Sequence, residues 1–126
     1  MVCDSNILIY AAEPEDVVCL PYVERPDAMI ASITRIEVLG FPRFGTLSPE
    51  QQSRLQTLVT STVEVALDDD IIQRAVALRQ QQKMSLADAI IAATALEYEV
   101  PLVTRNTDDF KHIDGLDLRN PFAAAP

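Results

Sequence analysis

Short runs of Val, Ile and Leu alternate along the chain with longer stretches whose apolar residues recur every three to four positions, the pattern of strands separated by helices. The runs predict strands at Val2–Cys3, Ala28–Ser32, Val63–Leu67 and Leu102–Thr104, with a weaker one near Leu116–Leu118. Ser48-Pro49-Glu50-Gln51 predicts a helix start, with a capping hydroxyl, Pro in the first turn and Gln closing the box. Leu55, Leu58 and Val59 give that helix one apolar stripe. A second helix is predicted over Asp69–Lys83, where acids open and Arg79 and Lys83 close it in the sense the helix dipole favours. Its inward face reads as Ile72, Ala75, Val76 and Leu78. Ser85–Glu99 is apolar nearly all round (Leu86, Ile90, Ile91, Ala93, Leu96), which predicts a helix buried on most sides. Gly40 to Gly45, with Pro42 between, reads as a turn region.

Strands alternating with helices imply parallel pairing through right-handed crossovers. The expected fold is a three-layer α/β/α sandwich around a central, mostly parallel sheet of four to five strands. Residues 1–122 form a single domain in this reading, and 123–126 a mobile tail.

Composition narrows the class. Of 126 residues, 48% are hydrophobic and 23% charged, enough apolar material for one core and too much for disorder. No apolar run reaches the roughly 18 residues of a membrane helix, and no basic segment leads into one, so a cytoplasmic protein is expected. Cys3 and Cys19 are too few for a disulfide framework and lack zinc-site spacing, which reads as two reduced core thiols.

Charge changes the picture more. Ten Lys and Arg against 19 Asp and Glu give a formal charge of −9, which argues against simple binding to a phosphate backbone. Acids that converge on divalent cations would alter that balance, since two +2 ions bring −9 to −5. In a parallel sheet, ligands bind beyond the carboxyl ends of the strands. There the chain has Asp4-Ser5-Asn6 after the first strand and Thr34-Arg35-Ile36-Glu37 after the second. Thr104-Arg105-Asn106-Thr107-Asp108-Asp109-Phe110 follows the fourth, and Ser85-Leu86-Ala87-Asp88 opens the buried helix before it.

Three of these segments, Thr34 to Glu37, Ser85 to Asp88 and Asn106 to Asp109, share a capping spacing, so each acid taken singly reads as a helix cap. Asp4 follows a strand, which capping leaves unexplained. Asp88 opens a helix with almost no polar face, where a buried carboxylate needs a cation or a proton-sharing partner. The resulting donor set is oxygen only, namely four acids helped by Asn6, Asn106 and Thr104. With no Cys/His cluster, it favours Mg²⁺ or Mn²⁺ over zinc. One or two such ions make a protein nucleophile unnecessary. His112, beside Lys111, reads as a solvent-facing charge near the end of a short helix.

Asp4-Ser5-Asn6, Thr34-x-x-Glu37, Asp88-Ala89-Ile90-Ile91-Ala92-Ala93-Thr94-Ala95 and Leu102-Val103-Thr104-x-Asn106-x-x-Asp109-Phe110 resemble, in order, the motifs of PIN-domain nucleases, most closely VapC-type toxins of toxin–antitoxin pairs. The resemblance runs from residue 4 to about residue 113, and Asn120-Pro121 is similar to the usual ending. It implies an α/β/α fold, Mg²⁺- or Mn²⁺-dependent cleavage of RNA, a homodimer and inhibition by a cognate antitoxin. Carried over by position, the catalytic and metal-holding acids are Asp4, Glu37, Asp88 and Asp109. Asp108 is left out because the family acid precedes the Phe. Asn6, Thr104 and Asn106 would position the site, with Arg35 and Arg105 meeting substrate phosphate. Only three residues precede Asp4, so the first strand is shorter than the resemblance implies.

Two other readings compete. A phosphohydrolase using Asp4 as covalent nucleophile would want a second acid two residues on, where the chain has Asn6. A non-catalytic PIN-like protein acting through dimerisation or partner sequestration would have no use for all four acids. The apolar Leu20, Tyr22 and Val23 and the turn from Phe41 to Phe44 are expected to be exposed, as an interface for a second copy or an antitoxin segment.

Overall fold

The computed structural model describes residues 1–123; of the tail expected at 123–126, all but Ala123 lies outside the described residues. Five strands, β1 (Val2–Cys3), β2 (Met29–Ala31), β3 (Val63–Val65), β4 (Leu102–Val103) and β5 (Leu118–Arg119), form one sheet in the order β3-β2-β1-β4-β5. Every pairing is parallel: Val2 stands opposite both Met29 and Leu102, and Val103 opposite Arg119. The short first strand is therefore central, held on both sides by its neighbours.

Six α-helices connect the strands: α1 (Ser5–Ala11), α2 (Leu20–Val23), α3 (Ser32–Gly40), α4 (Pro49–Ser61), α5 (Asp69–Gln81) and α6 (Leu86–Glu97). Side chains alternate across a strand, so successive strand residues feed two cores. Val2, Ala31, Val65 and Leu102 join α5 and α6 in one; Cys3, Ile30 and Val103 join α1, α2 and α4 in the other. This is the expected three-layer α/β/α sandwich. Among the described residues no helix is long and apolar enough to cross a membrane. Cys3 and Cys19 are free and buried, and burial pushes both thiols up to about 12.

The α4 start forms as its residues predict. Ser48 Oγ accepts from the Gln51 N–H at 3.1 Å, the Gln51 side chain answers the Ser48 N–H, and Leu55, Leu58 and Val59 are buried. Elsewhere the packing departs from expectation. The inner face of α5 is Ile71, Ala75 and Leu78, while Ile72 and Val76 are 42% and 50% exposed. Asp68 caps the helix through the Ile71 N–H at 2.9 Å, which fixes the helical phase with Ile71 inward. Burying Ile71 contributes about 2 kcal/mol. Leu86, at the first position of α6, is 57% exposed. The expected interface residues are not an open patch. Val23 is buried, and Leu20, Tyr22, Phe41 and Phe44 pack against the second core, the two Phe rings edge to face at 6.0 Å. Exposed apolar side chains lie instead at Val17, Ile36, Val63, Leu67, Ile72 and Val76, among others.

Candidate active site

Connections leave the sheet in opposite directions on either side of the β1–β4 pair, so a crevice opens at the carboxyl ends of these two strands. Asp4 is the first residue beyond β1. It stays extended and caps α1, its Oδ1 accepting from the Ile7 N–H at 3.1 Å, so capping does account for part of Asp4, contrary to the expectation from sequence. The capping requirement uses one oxygen. The residue is only 7% exposed, and burial pushes its carboxyl above the usual carboxylate range, with the charges of Asp88 and Glu37 adding to the rise. The Thr104 hydroxyl and the Ile7 N–H pull the other way. Thr104, the first residue beyond β4, is fully buried, and its Oγ1 accepts from the Asn106 N–H at 3.1 Å.

Glu37 lies in the second turn of α3, not at a cap position, because the helix starts at Ser32 with Ala31 as its cap. It is exposed, and Ser5 Oγ donates to its Oε1 at 2.6 Å, tying α1 to α3. One turn earlier, the Thr34 hydroxyl is buried and without a hydrogen-bond partner. At α6 the cap is Ser85, whose Oγ accepts from the Asp88 N–H at 3.1 Å, so Asp88 takes part in the cap through its backbone. The Asp88 carboxyl is nonetheless raised, first by burial and then by the charges of Asp109 and Glu37, with Ser85 opposing. Asp109 ends a single 3₁₀ turn, Thr107–Asp109, and its N–H bonds the Asn106 carbonyl at 3.1 Å; the Asn106 side chain makes no cap.

The structure thus brings the four acids within electrostatic reach of one another: Asp4 with Glu37 and Asp88, and Asp88 with Glu37 and Asp109. Thr104 and Asn106 border them, and Asn6 is exposed on the first turn of α1. Arg35 is not brought to the group. Two positions from Glu37, it points to another side of α3, where its Nε meets Glu64 Oε1 at 2.8 Å. Arg105 is held by aromatic rings, its guanidinium 4.3 Å from the Phe122 centroid and 5.5 Å from that of Tyr10. His112 is not solvent-facing: both ring nitrogens are enclosed and without partners.

A cleft of about 570 Å³ is lined by Asp88, Asp108 and Asp109 together with Ser85, Arg79, Gln82 and Lys83; of the four candidate acids, Asp88 and Asp109 line it. Arg79 and Lys83 escaped the sequence reading because basic residues at a helix end are explained by the dipole alone. The helix in fact stops at Gln81, and Lys83 stands in the connection to α6. The only available signal was their closeness to the Ser85-x-x-Asp88 segment.

The donor set suits a hard divalent cation. Among the described residues, Asp27, Glu64, Glu97, Asp108 and Asp117 each pair with a Lys or Arg, whereas Asp4, Glu37, Asp88 and Asp109 form no ion pair. Like charges crowded together, two of them partly desolvated, lack only a counter-charge. Among the described residues no three Asp, Glu, His or Cys side chains close into a metal cage. Asp88 and Asp109 line an open cleft.

The sequence matches the PIN domain family over residues 1–116. In a toxin–antitoxin complex from Klebsiella pneumoniae, a chain 33% identical superposes with a TM-score of 0.78, with 98% of both chains covered. VapBC2 from Rickettsia felis, bound to a DNA fragment from its promoter, gives 21% identity and a TM-score of 0.78 over 94% of this chain and 96% of that one. VapC20 of Mycobacterium tuberculosis, a sarcin-ricin loop cleaving toxin, gives 12% identity and a TM-score of 0.60 over 80% and 85%. At those lower identities the likeness is one of fold. No curated protein matches the sequence.

Proposed function

Because the chain belongs to the PIN domain family of nucleases, we propose that it is a Mg²⁺- or Mn²⁺-dependent endoribonuclease and the toxin of a cytoplasmic toxin–antitoxin pair. The observation that carries this reading is the group of four carboxylates at the sheet's carboxyl edge, none of them matched by a basic side chain. Asp4, Glu37 and Asp88 would hold the main cation, and Asp109 would complete a second site or orient the attacking water. A bound ion supplies Lewis acidity at the phosphodiester and acidifies the water that attacks it.

The protein's own groups position that chemistry. The Ile7 N–H keeps Asp4 fixed at the end of β1, and Ser5 holds one oxygen of Glu37. The α6 N-terminus, closed by Ser85, favours the ionised form of Asp88 against its burial. An antitoxin partner is in keeping with the Klebsiella pneumoniae complex, and a homodimer with Ile72 and Val76, exposed one turn apart on α5.

The test is cleavage of a mixed RNA pool with Mn²⁺, with EDTA, and by Asp4→Asn. Cleavage confined to the wild type with metal supports the reading. An inert wild type that still binds its partner protein is instead the non-catalytic binding protein.

A further inference from the structure

Ten basic residues serve this chain, and the structure divides them into two sets. Arg25, Arg35, Arg74, Lys111 and Arg119 are each within 4.0 Å of a carboxylate. Arg43, Arg54, Arg79, Lys83 and Arg105 are not, and of these Arg79 and Lys83 share a cleft with Asp88, Asp108 and Asp109. Arg79 is also aimed. Its Nε donates to the Met84 carbonyl at 3.3 Å, which fixes the guanidinium against the α5–α6 connection and leaves its terminal nitrogens for another partner. The cleft continues as a groove along Gln80, Gln81 and Gln82, uncharged donors suited to a backbone of repeating oxygens.

We infer that Arg79 and Lys83 are the phosphate-gripping wall of the cleft, seating single-stranded RNA beside the acids. The inference rests on the ribonuclease reading and adds to it the residues that hold the substrate. Its physical basis is repulsion. Two divalent ions would still leave the protein at −5, so fixed positive charge in the cleft beside Asp88 and Asp109 favours entry of a polyanion. Arg35 is taken by Glu64, and Arg105 by its two rings. Arg79 and Lys83 are the basic side chains that line the cleft.

The experiment measures affinity of the full chain for a fluorescein-labelled single-stranded RNA oligonucleotide by anisotropy, with Ca²⁺ in place of Mn²⁺, across a salt series. Arg79→Gln/Lys83→Gln is expected to weaken binding about tenfold, and its slope of log affinity against log salt to become shallower by about 1.4, two phosphate contacts at 0.7 each. Its melting temperature should fall by no more than a few degrees, since neither side chain is in an ion pair and the one hydrogen bond lost, Arg79 to the Met84 carbonyl, is exposed. Arg43→Gln, which removes a charge outside the cleft, should bind as wild type does. Equal affinity and slope for the double variant and wild type overturn the inference; so does an equal loss in Arg43→Gln, which would make the effect one of bulk charge. Wild type that fails to bind the RNA at all overturns it too. Cleavage is scored separately with Mn²⁺: a wild type that cuts RNA while the double variant binds normally sinks the inference alone. One that binds through Arg79 and Lys83 without cutting sinks the nuclease reading alone.

Discussion

The two ends of the one sheet treat their acids in opposite ways. At the amino end, Asp27 precedes β2 and Asp117 precedes β5, and each faces a two-pronged arginine. Arg25 meets Asp27 at 2.8 and 3.1 Å, and Arg119 meets Asp117 at 3.0 and 2.8 Å. Those hydrogen bonds hold both carboxyls below the usual range. At the carboxyl end, burial pushes Asp4 and Asp88 above it, with neighbouring acids adding to the rise: Asp88 and Glu37 for Asp4, Asp109 and Glu37 for Asp88. Fold alone does not demand this asymmetry, since an arginine would serve either edge. An acid that the protein neutralises itself contributes to structure; an acid left unneutralised in a crevice is held for something that arrives from outside.

The largest difference should appear in cleavage. Asp88→Asn keeps the shape and an acceptor oxygen, so the α6 start survives, but Mn²⁺-dependent RNA cleavage should fall about a thousandfold, the several kcal/mol that charge stabilisation by a metal supplies. Asp27→Asn, at the other edge, should cleave at the wild-type rate. If Asp88→Asn loses stability and keeps full activity, Asp88 is only a cap.

Metal linkage should separate the edges next. With Mn²⁺ a hundredfold above Kd, binding adds about 2.7 kcal/mol, roughly 5–10 °C in melting temperature. Asp4→Asn should lose most of that shift, and Asp117→Asn none of it. A shift of equal size in all three proteins would place the ion elsewhere.

A pH series without metal sharpens the contrast through its sign. The raised carboxyls of Asp4 and Asp88 bind protons more tightly in the folded state, so their contribution to stability is present below the ordinary carboxyl range and is lost as pH rises through the folded values. The metal-free protein should therefore gain stability on acidification from neutral pH, and Asp4→Asn should flatten that gain. The lowered carboxyls of Asp27 and Asp117 act in reverse: their contribution is present above the ordinary range and fades as pH falls through the folded values. The smallest effect belongs to these pairs. Both are exposed, and Asp117→Asn should move the melting temperature by about one degree or less at neutral pH.

What the sequence disclosed follows the range of the interactions concerned. Ser48, Pro49 and Gln51 determine a helix start among themselves, so α4 was legible to the residue, and the strand sites were found because β-branched runs are local. The inner face of α5 was not. Ile71 and Ile72 are equally apolar neighbours, and the choice between them is made by the Asp68 cap and the sheet beneath. The four acids were recognised by ordered motifs, yet which basic residues remain free near them is decided by contacts far apart in sequence. Arg35 sits two residues from Glu37 and spends its charge on Glu64 across β3. Arg79 and Lys83, which look like ordinary helix-end charges, face the cleft. His112 passed for a surface residue because nothing nearby in sequence reveals that the fold encloses its ring.

The pairing of β1 with β4 has a consequence for the order in which the molecule comes into being. Asp4 and Thr104 follow adjacent strands but lie far apart in the sequence, so the strand pairing that brings them together closes a very long loop and waits on everything between. During synthesis, domains fold as their residues emerge. A nascent chain that has not yet released β4 has its first acid exposed and its crevice unbuilt. The cleavage proposed for this protein therefore waits on the emergence of β4 and its pairing with β1, because the site is not whole before then.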